Sequence, residues 1–370
     1  MKRIFLLLFS LFILVALRAE NKVSLTLIPP GKITNKVDLD IRGGIVNEST
    51  VQQTYQVSLY WGKEKKDALL YETTVSIPAG KSETVKVVIP TKERVGKHKV
   101  IFKVADADKT YRKTKDIEII ESDIRSIQQI SGAWAGIYHW SETEGKHWNQ
   151  DIKKMTDDQW KELIRSMNKL EMNMVVIQEV FRNEEYVGKR TSTIDTYTGK
   201  AFYPSKLYPG RMEITAEDPI EAILSEADKL GMNVLMGVGM FAWFDFTPES
   251  LEWHKRVAKE LWDMYGHHES FYAFYVSEES GGGLDNWEQR PEMRKKRKDD
   301  IVNFFKEFKA YCNGFAPSKP VMLATNSFEV PNGMDTYPAL LEYLDILCPF
   351  GFARMPEGDL TGKEAADMLR

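Results

Sequence analysis

Short runs of alternating apolar and polar residues fill the first third of the chain, as expected for antiparallel strands with one buried face. Seven such runs are present, at residues 23–28, 37–46, 55–61, 69–77, 83–89, 98–105 and 111–120. Turn-forming residues, among them Asn47, Gly62 and Gly96, separate the runs. This density of short strands predicts an all-β, Ig-like sandwich over residues 21–122, without the cysteine pair of true immunoglobulin domains.

After Ser131 the period changes, and apolar runs of strand length alternate with amphipathic helical stretches. The strand-like runs are residues 134–137, 174–180, 234–238, 271–276, 321–324 and 344–347. Helix starts are marked by Thr156, with Gln159 three residues on, and by prolines at 219, 248 and 291. Repeated β/α units predict an α/β fold, a (β/α)8 TIM barrel over residues 131–370. Only six strands are found, so we expect a barrel truncated after strand six and incomplete at the C-terminus.

The N-terminus has the pattern of a secretory signal peptide. Lys2 and Arg3 precede an apolar run that ends at Leu17, and Ala19 offers a small residue for cleavage. The run is shorter than the roughly 20 residues of a membrane-spanning helix. No cysteine follows it to carry a lipid anchor. We therefore expect a signal peptide at residues 1–19, a secreted or periplasmic protein, and no integral membrane segment after cleavage. An uncleaved anchor is the alternative.

Composition and charge limit the classes of ligand. The chain is 43% hydrophobic and 28% charged, which is typical of a folded globular protein. Removal of residues 1–19 leaves 47 basic and 54 acidic residues, a net charge of −7. This argues against a nucleic-acid partner, since phosphate recognition requires basic surfaces. The two cysteines, Cys312 and Cys348, form neither a disulfide scaffold nor a zinc motif. A hydroxyl-rich, uncharged ligand fits this composition better.

Polar and aromatic residues collect where the predicted parallel strands end, which is where TIM barrels place their active sites. Aromatic faces pack on sugar rings, and amides and carboxylates bind hydroxyl groups. The predicted substrate-binding residues are His139, Trp140, Trp148, Asn149, Gln178, Trp243, Asp245, Asn326 and Phe350. Glycosidic hydrolysis also needs two carboxyl groups. Glu179, Glu278 and Glu279 are the predicted catalytic candidates.

Each candidate also has a structural interpretation. Glu279 could be an exposed loop acid, Glu179 could pair with a neighbouring cation, and Asp245 could cap a loop. His139 and His147 suit sugar contacts, although a metal-dependent hydrolase would bring them together with a carboxylate. The pair His267–His268 follows a helix C-terminus, where a cation suits the helix dipole. We predict no cofactor and no metal.

Several segments resemble a known family. These are the HWN at residues 147–149, the VVIQEV at 175–180, the FYPSKLYP at 202–209 and the DPIEAILSEADKLGMNVLMGVG at 218–239. The chain is similar over residues 131–355 to secreted bacterial barrel proteins grouped as glycoside hydrolases of unknown specificity, which carry an N-terminal Ig-like domain.

The resemblance implies a glycosidase barrel in which a glutamate at the end of strand four is the acid/base. An aromatic-x-x-x-Glu pattern then maps onto Tyr275 and Glu279, and favours Glu279 over Glu278. It also implies a nucleophile at the end of strand seven, and this sequence shows no such strand. The hypothesis is a glycoside hydrolase acting on an oligo- or polysaccharide. The alternative is a non-catalytic carbohydrate-binding protein with a degenerate or incomplete site.

Overall fold

The structure, a computed structural model, describes residues 21–139, 146–182, 193–197, 199–239, 244–326, 329–350, 361, 363–364 and 367. The predicted signal peptide, Trp140 and Trp243 lie outside these residues. No helix in the described part of the chain is long and apolar enough to cross a membrane.

The N-terminal region is built from two sheets of strands. The strands are β1 (Lys22–Ile28), β2 (Gly31–Thr34), β3 (Leu39–Val46), β4 (Gln53–Trp61), β5 (Leu69–Ile77), β6 (Ser82–Ile89), β7 (Gly96–Ala105) and β8 (Thr110–Ile120). One sheet has the order β1-β3-β6 and the other β2-β8-β7-β4-β5. Alternate side chains, including Ile41, Tyr55 and Phe102, are buried in the core of this region.

The prediction of seven strands for this region was wrong by one. The additional strand, β2, has four residues and pairs in parallel with β8, far along the chain. A run of four residues is too short to show an alternating pattern. Its pairing is also non-local, so no turn signal marks it.

The second region is a six-stranded, all-parallel sheet flanked by helices. Its strands, in sheet order, are β17 (Ile346–Phe350), β16 (Val321–Asn326), β15 (Phe271–Ser280), β14 (Asn233–Gly237), β10 (Met174–Ile177) and β9 (Gly132–Ala135). A small three-stranded sheet of β11 (Phe181–Arg182), β12 (Lys200–Ala201) and β13 (Gly210–Arg211) occupies the insertion after β10. The parallel repeat predicted from the sequence is confirmed for these six strands.

Four of the six helices below begin where their sequence signals predict, and the two of only four residues, Asn149–Ile152 and Tyr337–Leu340, were not predicted. They are α1 (Asn149–Ile152), α2 (Asp157–Lys169), α3 (Pro219–Leu230), α4 (Pro248–Tyr265), α5 (Pro291–Asn313) and α6 (Tyr337–Leu340). Thr156 forms the expected capping box with Gln159. Gly231 ends α3 in the left-handed conformation, with a φ of 66°. The helices bury their apolar faces against one side of the sheet, beside residues such as Phe274 and Leu323.

The sheet curls into a half barrel with an inner face of its own. A separate apolar cluster, which includes Val176, Leu235 and Met322, lines the side opposite the helices. The ring of Trp134 on the first strand lies 6.2 Å from the ring of Phe350 on the last. Contact between the two edge strands requires strong curvature, as in part of a TIM barrel.

The N-terminal region contacts the amino ends of the parallel strands. The Tyr272 hydroxyl, at the start of β15, donates to the carbonyl of Leu27 at 2.9 Å. Ser318, just before β16, shares hydrogen bonds with Thr26 at 3.0 Å and with Ser24 at 2.8 Å. Because this region covers the amino edge of the sheet, it leaves the carboxyl edge available for a site.

Candidate active site

The carboxyl edge of the parallel sheet carries most of the residues predicted from the sequence. Glu179 and Gln178 follow β10, Glu278 and Glu279 lie near the end of β15, and Asn326 ends β16 beside Phe350 of β17. Glu179 is 3% exposed, whereas Gln178 is half-buried. The carboxyl ends of β10, β15, β16 and β17 therefore lie at one edge of the sheet, as expected for parallel strands.

Glu278 faces the helix layer. Its side chain is fully buried, and Oε2 accepts a hydrogen bond from the backbone N–H of Asp245 at 3.1 Å. Oε1 lies 3.8 Å from Nε2 of His254 in α4. The pKa of His254 is lowered by burial, which outweighs its contacts with two backbone carbonyls. Glu278 thus anchors the loop after β14 to the end of β15.

A bulge in β15 separates Glu279 from its neighbour. Val276 pairs with Leu323 and Ser280 pairs with Thr325, so three residues of β15 face one residue of β16. Glu279 lies in this bulge with a φ of 56°, in the left-handed region that costs a non-glycine residue about 1 kcal/mol or more. Bulges of this kind redirect side chains and are common beside active sites. Glu279 is half-buried, in contrast to the sequestered Glu278.

Tyr275 brings the two remaining carboxylates into one environment. Its side chain is fully buried on the inner face and meets the ring of Trp134 edge-on at 6.2 Å. Burial raises the pKa of Tyr275 well above its usual value, and the charges of Glu279 and then Glu179 raise it further. Both acids therefore lie close enough to act on the same phenol, although they follow different strands. Sequence reasoning did not assign Tyr275 or Trp134 to the site.

A second group forms where β9 ends. The buried Asn149, at the start of α1, accepts a hydrogen bond from the backbone N–H of His139 at 2.9 Å. The ring of Trp148 meets the His139 ring edge-on at 5.5 Å and is 46% exposed. Nδ2 of Asn149 is buried and has no acceptor among the described residues. These three predicted residues form one polar and aromatic patch.

Asp245 has the capping role that was its structural interpretation. Its Oδ1 accepts a hydrogen bond from the N–H of Thr247 at 2.9 Å, and its carbonyl accepts one from the Ser250 hydroxyl at 2.7 Å. Thr247 is itself the N-cap of α4. Asp245 is 6% exposed. Its described contacts are those of a residue that organises the start of a helix.

One group in the described part of the chain has metal-ligand geometry, and it lies elsewhere. Ligand atoms of Glu221, His267 and His268 are within 4.8 Å of one another. His139 and His147 belong to no such group among the described residues.

Structural relatives are distant. The chain matches a Bacteroides uniformis β-glucuronidase 2, covalently bound to cyclophellitol-6-carboxylate aziridine, with 12% identity and a TM-score of 0.41, covering 94% of this chain and 38% of that one. A second Bacteroides uniformis β-glucuronidase structure gives the same identity and TM-score, with 94% and 37% coverage. A Listeria innocua β-glucosidase in complex with glucose matches at 14% identity and a TM-score of 0.22, with 28% and 16% coverage.

The chain thus spans little more than a third of the length of those β-glucuronidases. Likeness at this level does not assign an activity. No curated protein matches the sequence. A family model described as "Domain of unknown function (DUF4434)" matches residues 130–347, which is more than half of the chain and contains the whole parallel sheet except the end of β17. The chain therefore belongs to the DUF4434 family.

Proposed function

We propose that this protein is a glycoside hydrolase that acts on an oligo- or polysaccharide, with Glu279 as the general acid/base. The observation that carries the proposal is the position of Glu279 and Glu179 at the carboxyl ends of two strands of one curled parallel sheet, with Glu279 in a bulge that breaks the alternation of its strand. Two carboxyl groups at one end of a curled parallel sheet are the minimal apparatus for cleaving a glycosidic bond. Glu279 is the better acid/base because it is half-buried, whereas Glu278 is fully enclosed.

In this mechanism Glu279 protonates the leaving oxygen as the bond breaks. A second carboxylate then attacks the sugar carbon or activates a water molecule. We propose Glu179 for the second role, because it is the other acid that acts on Tyr275. The family resemblance implies instead a nucleophile from a seventh strand, and the described sheet has six. Glu179→Gln distinguishes Glu179 from a nucleophile on a seventh strand. Loss of hydrolysis in this variant would support Glu179, and full activity would support the other nucleophile.

Substrate binding is proposed for the aromatic and amide groups at the same edge. Trp148 and Phe350 offer ring faces for sugar C–H groups, and Asn149 keeps a buried donor available. His139, Gln178 and Asn326 are proposed to bind hydroxyl groups. Trp140 and Trp243 are proposed to bind substrate on the basis of the sequence alone. Asp245 is proposed to support the site indirectly, through its helix-capping contacts.

The proposal also includes the domain organisation and the cellular location of the protein. We infer an N-terminal Ig-like domain at residues 21–122 that supports a barrel domain starting at residue 131. A secreted or periplasmic protein, exported through residues 1–19, would meet polysaccharides outside the cytoplasm. The contacts at the amino edge of the sheet support a platform role for the first domain, because they leave the carboxyl edge open.

A non-catalytic carbohydrate-binding protein is the second candidate. It is favoured by the sequestration of Glu278, which removes one of the three predicted acids from the site. Such a protein would keep the aromatic patch of His139 and Trp148 while lacking a competent acid pair.

The test is a screen of the recombinant protein against polysaccharides and aryl glycosides, with product release and binding measured on the same panel. Glu279→Gln should lower hydrolysis by a factor of about 10² to 10⁴ and preserve binding. Glu213→Gln, at an exposed position, is the matched control and should be fully active. Binding without hydrolysis by the wild type would favour the second candidate. A protein that neither binds nor cleaves any glycan would refute both.

A further inference from the structure

A cluster of histidines and carboxylates lies at the opposite end of β15 from Glu279. His267 and His268 are in the loop between α4 and β15, and Glu221 and Asp228 lie on the adjacent helix α3. β15 has ten residues, so its two ends are about 30 Å apart. The cluster is therefore separate from the candidate active site and does not depend on the proposed function.

The side-chain atoms of this cluster converge on one point. Nε2 of His268 lies 3.0 Å from Oε2 of Glu221, and a ring nitrogen of His267 completes a group whose three ligand atoms are within 4.8 Å of one another. The two imidazole rings are 4.1 Å apart. In a tetrahedral zinc site with bonds of about 2.0–2.2 Å, neighbouring ligand atoms are about 3.3–3.5 Å apart. Shifts of these ligand atoms by a few tenths of an ångström to about one ångström would produce that arrangement.

Asp228 holds the His268 ring in the orientation that a ligating histidine needs. Its Oδ2 lies 2.6 Å from Nδ1 of His268, and its Oδ1 accepts a hydrogen bond from the backbone N–H of Ser270 at 2.7 Å. The carboxylate is thus held from two sides and fixes the proton on Nδ1. Nε2 therefore faces Glu221 and can hold either a proton or a metal ion. A carboxylate that orients a ligating histidine in this way is the usual second layer of a zinc site.

Burial and charge also suit a dication. His268 is 6% exposed, whereas His267 is exposed and Glu221 half-exposed, so an ion has access from solvent. With His268 protonated, two carboxylates and one imidazolium leave the cluster with one net negative charge. A dication that displaces the proton makes the cluster neutral. The donor set of two imidazoles and one carboxylate matches Zn²⁺ and Co²⁺, and is too rich in nitrogen for Ca²⁺ or Mg²⁺.

We propose that Glu221, His267 and His268 bind one Zn²⁺ ion, with Asp228 orienting His268. The fourth position is open to water. The ion would clamp α3 to the loop that leads into β15, so its role is structural rather than catalytic. Without the ion, the same residues form a hydrogen-bonded ion pair between α3 and this loop, which is the competing explanation.

The experiment titrates untagged, chelator-treated protein with Zn²⁺ by calorimetry, and with Co²⁺ by visible absorption. The expected result is one equivalent bound, tetrahedral Co²⁺ bands and a higher melting temperature. His267→Ala and Glu221→Gln should each weaken binding at least tenfold, and Asp228→Asn about 10- to 100-fold. His147→Ala removes another exposed histidine and is the matched control.

His267→Ala is the decisive variant, because no described contact other than stacking on His268 depends on His267. Its fold is checked by circular dichroism. The absence of stoichiometric binding, or unchanged binding in both His267→Ala and Glu221→Gln, would overturn the proposal and leave the ion-pair explanation. Loss of binding in His147→Ala alone would place the metal elsewhere and would also overturn it.

Discussion

A buried ion network connects the N-terminal region to the parallel sheet, and its loss should be costly. The Arg42 guanidinium on β3 contacts Asp40 at 2.7 Å and Asp345, just before β17, at 2.6 Å. The three side chains are only 7%, 17% and 9% exposed. Lys309 in α5 also pairs with Asp345. Two acids and two bases thus neutralise one another in a nearly dry interface.

Arg42→Met keeps the aliphatic part of the side chain and removes the charge. One uncompensated carboxylate then stays in the interface, and breaking a buried pair in this way costs about 3–5 kcal/mol. Lys86, whose side chain is 56% exposed, lies 3.5 Å from Asp40 and offers partial compensation. We therefore expect a loss at the lower end, about 3 kcal/mol in the free energy of unfolding.

The assay is equilibrium unfolding in urea, followed by far-UV circular dichroism and tryptophan fluorescence. If the network couples the two regions, the variant should also show two transitions where the wild type shows one, since the regions then unfold separately. Arg112→Met breaks an ion pair with Glu64 at the protein surface and should have a much smaller effect on the free energy of unfolding, because solvent screens exposed pairs. A cost for Arg42→Met no larger than that of Arg112→Met would refute the role given to this interface.

Two further predictions concern local packing and pH. A Cβ atom at Gly237 would lie 2.4 Å from the carbonyl oxygen of Gln178, so Gly237→Ala should push β14 from β10, lower the melting temperature and weaken glycan binding. Gly136→Ala, which meets no atom within 4 Å, should do neither, and equal effects would contradict the packing argument. Burial lowers the pKa of His268, but its carboxylate contacts, including Asp228, raise it more. This histidine therefore stabilises the metal-free fold below about pH 6.5, and the contribution is lost as the pH rises through the raised pKa. His268→Gln should flatten this part of the stability profile in urea titrations, and an unchanged profile would exclude His268 as its source.

Much of the fold could be predicted because its signals are local. Thr156 with Gln159, Asp218 with Pro219, and Thr247 with Pro248 each mark a helix start within a few residues. The buried parallel strands are equally visible as short apolar runs. β2 and the interface at the amino edge of the sheet were not predictable, because they depend on pairings between residues far apart in the chain.

The candidate site was likewise predictable only where its signals are local in the sequence. Strand-end logic directed attention to residues 178–179 and 278–279, and the structure places these residues at the carboxyl edge of the sheet. It could not decide which way each acid faces, because the bulge after Val276 breaks the alternation and gives Glu279 a positive φ. Trp134 was missed because, in sequence, it is one apolar residue among others, and Tyr275 was noted only as the aromatic residue four positions before Glu279. Only the curvature of the sheet brings them together.

The central claim is that Glu279 is the acid/base of a glycosidase. The most direct measurement compares hydrolysis by the wild type and by Glu279→Gln on one glycan that both proteins bind with equal affinity. We predict a rate loss of about 10² or more, together with loss of the alkaline limb of a bell-shaped pH profile, because that limb reports deprotonation of the general acid. A Glu279→Gln protein that cleaves the glycan at the wild-type rate would contradict the claim.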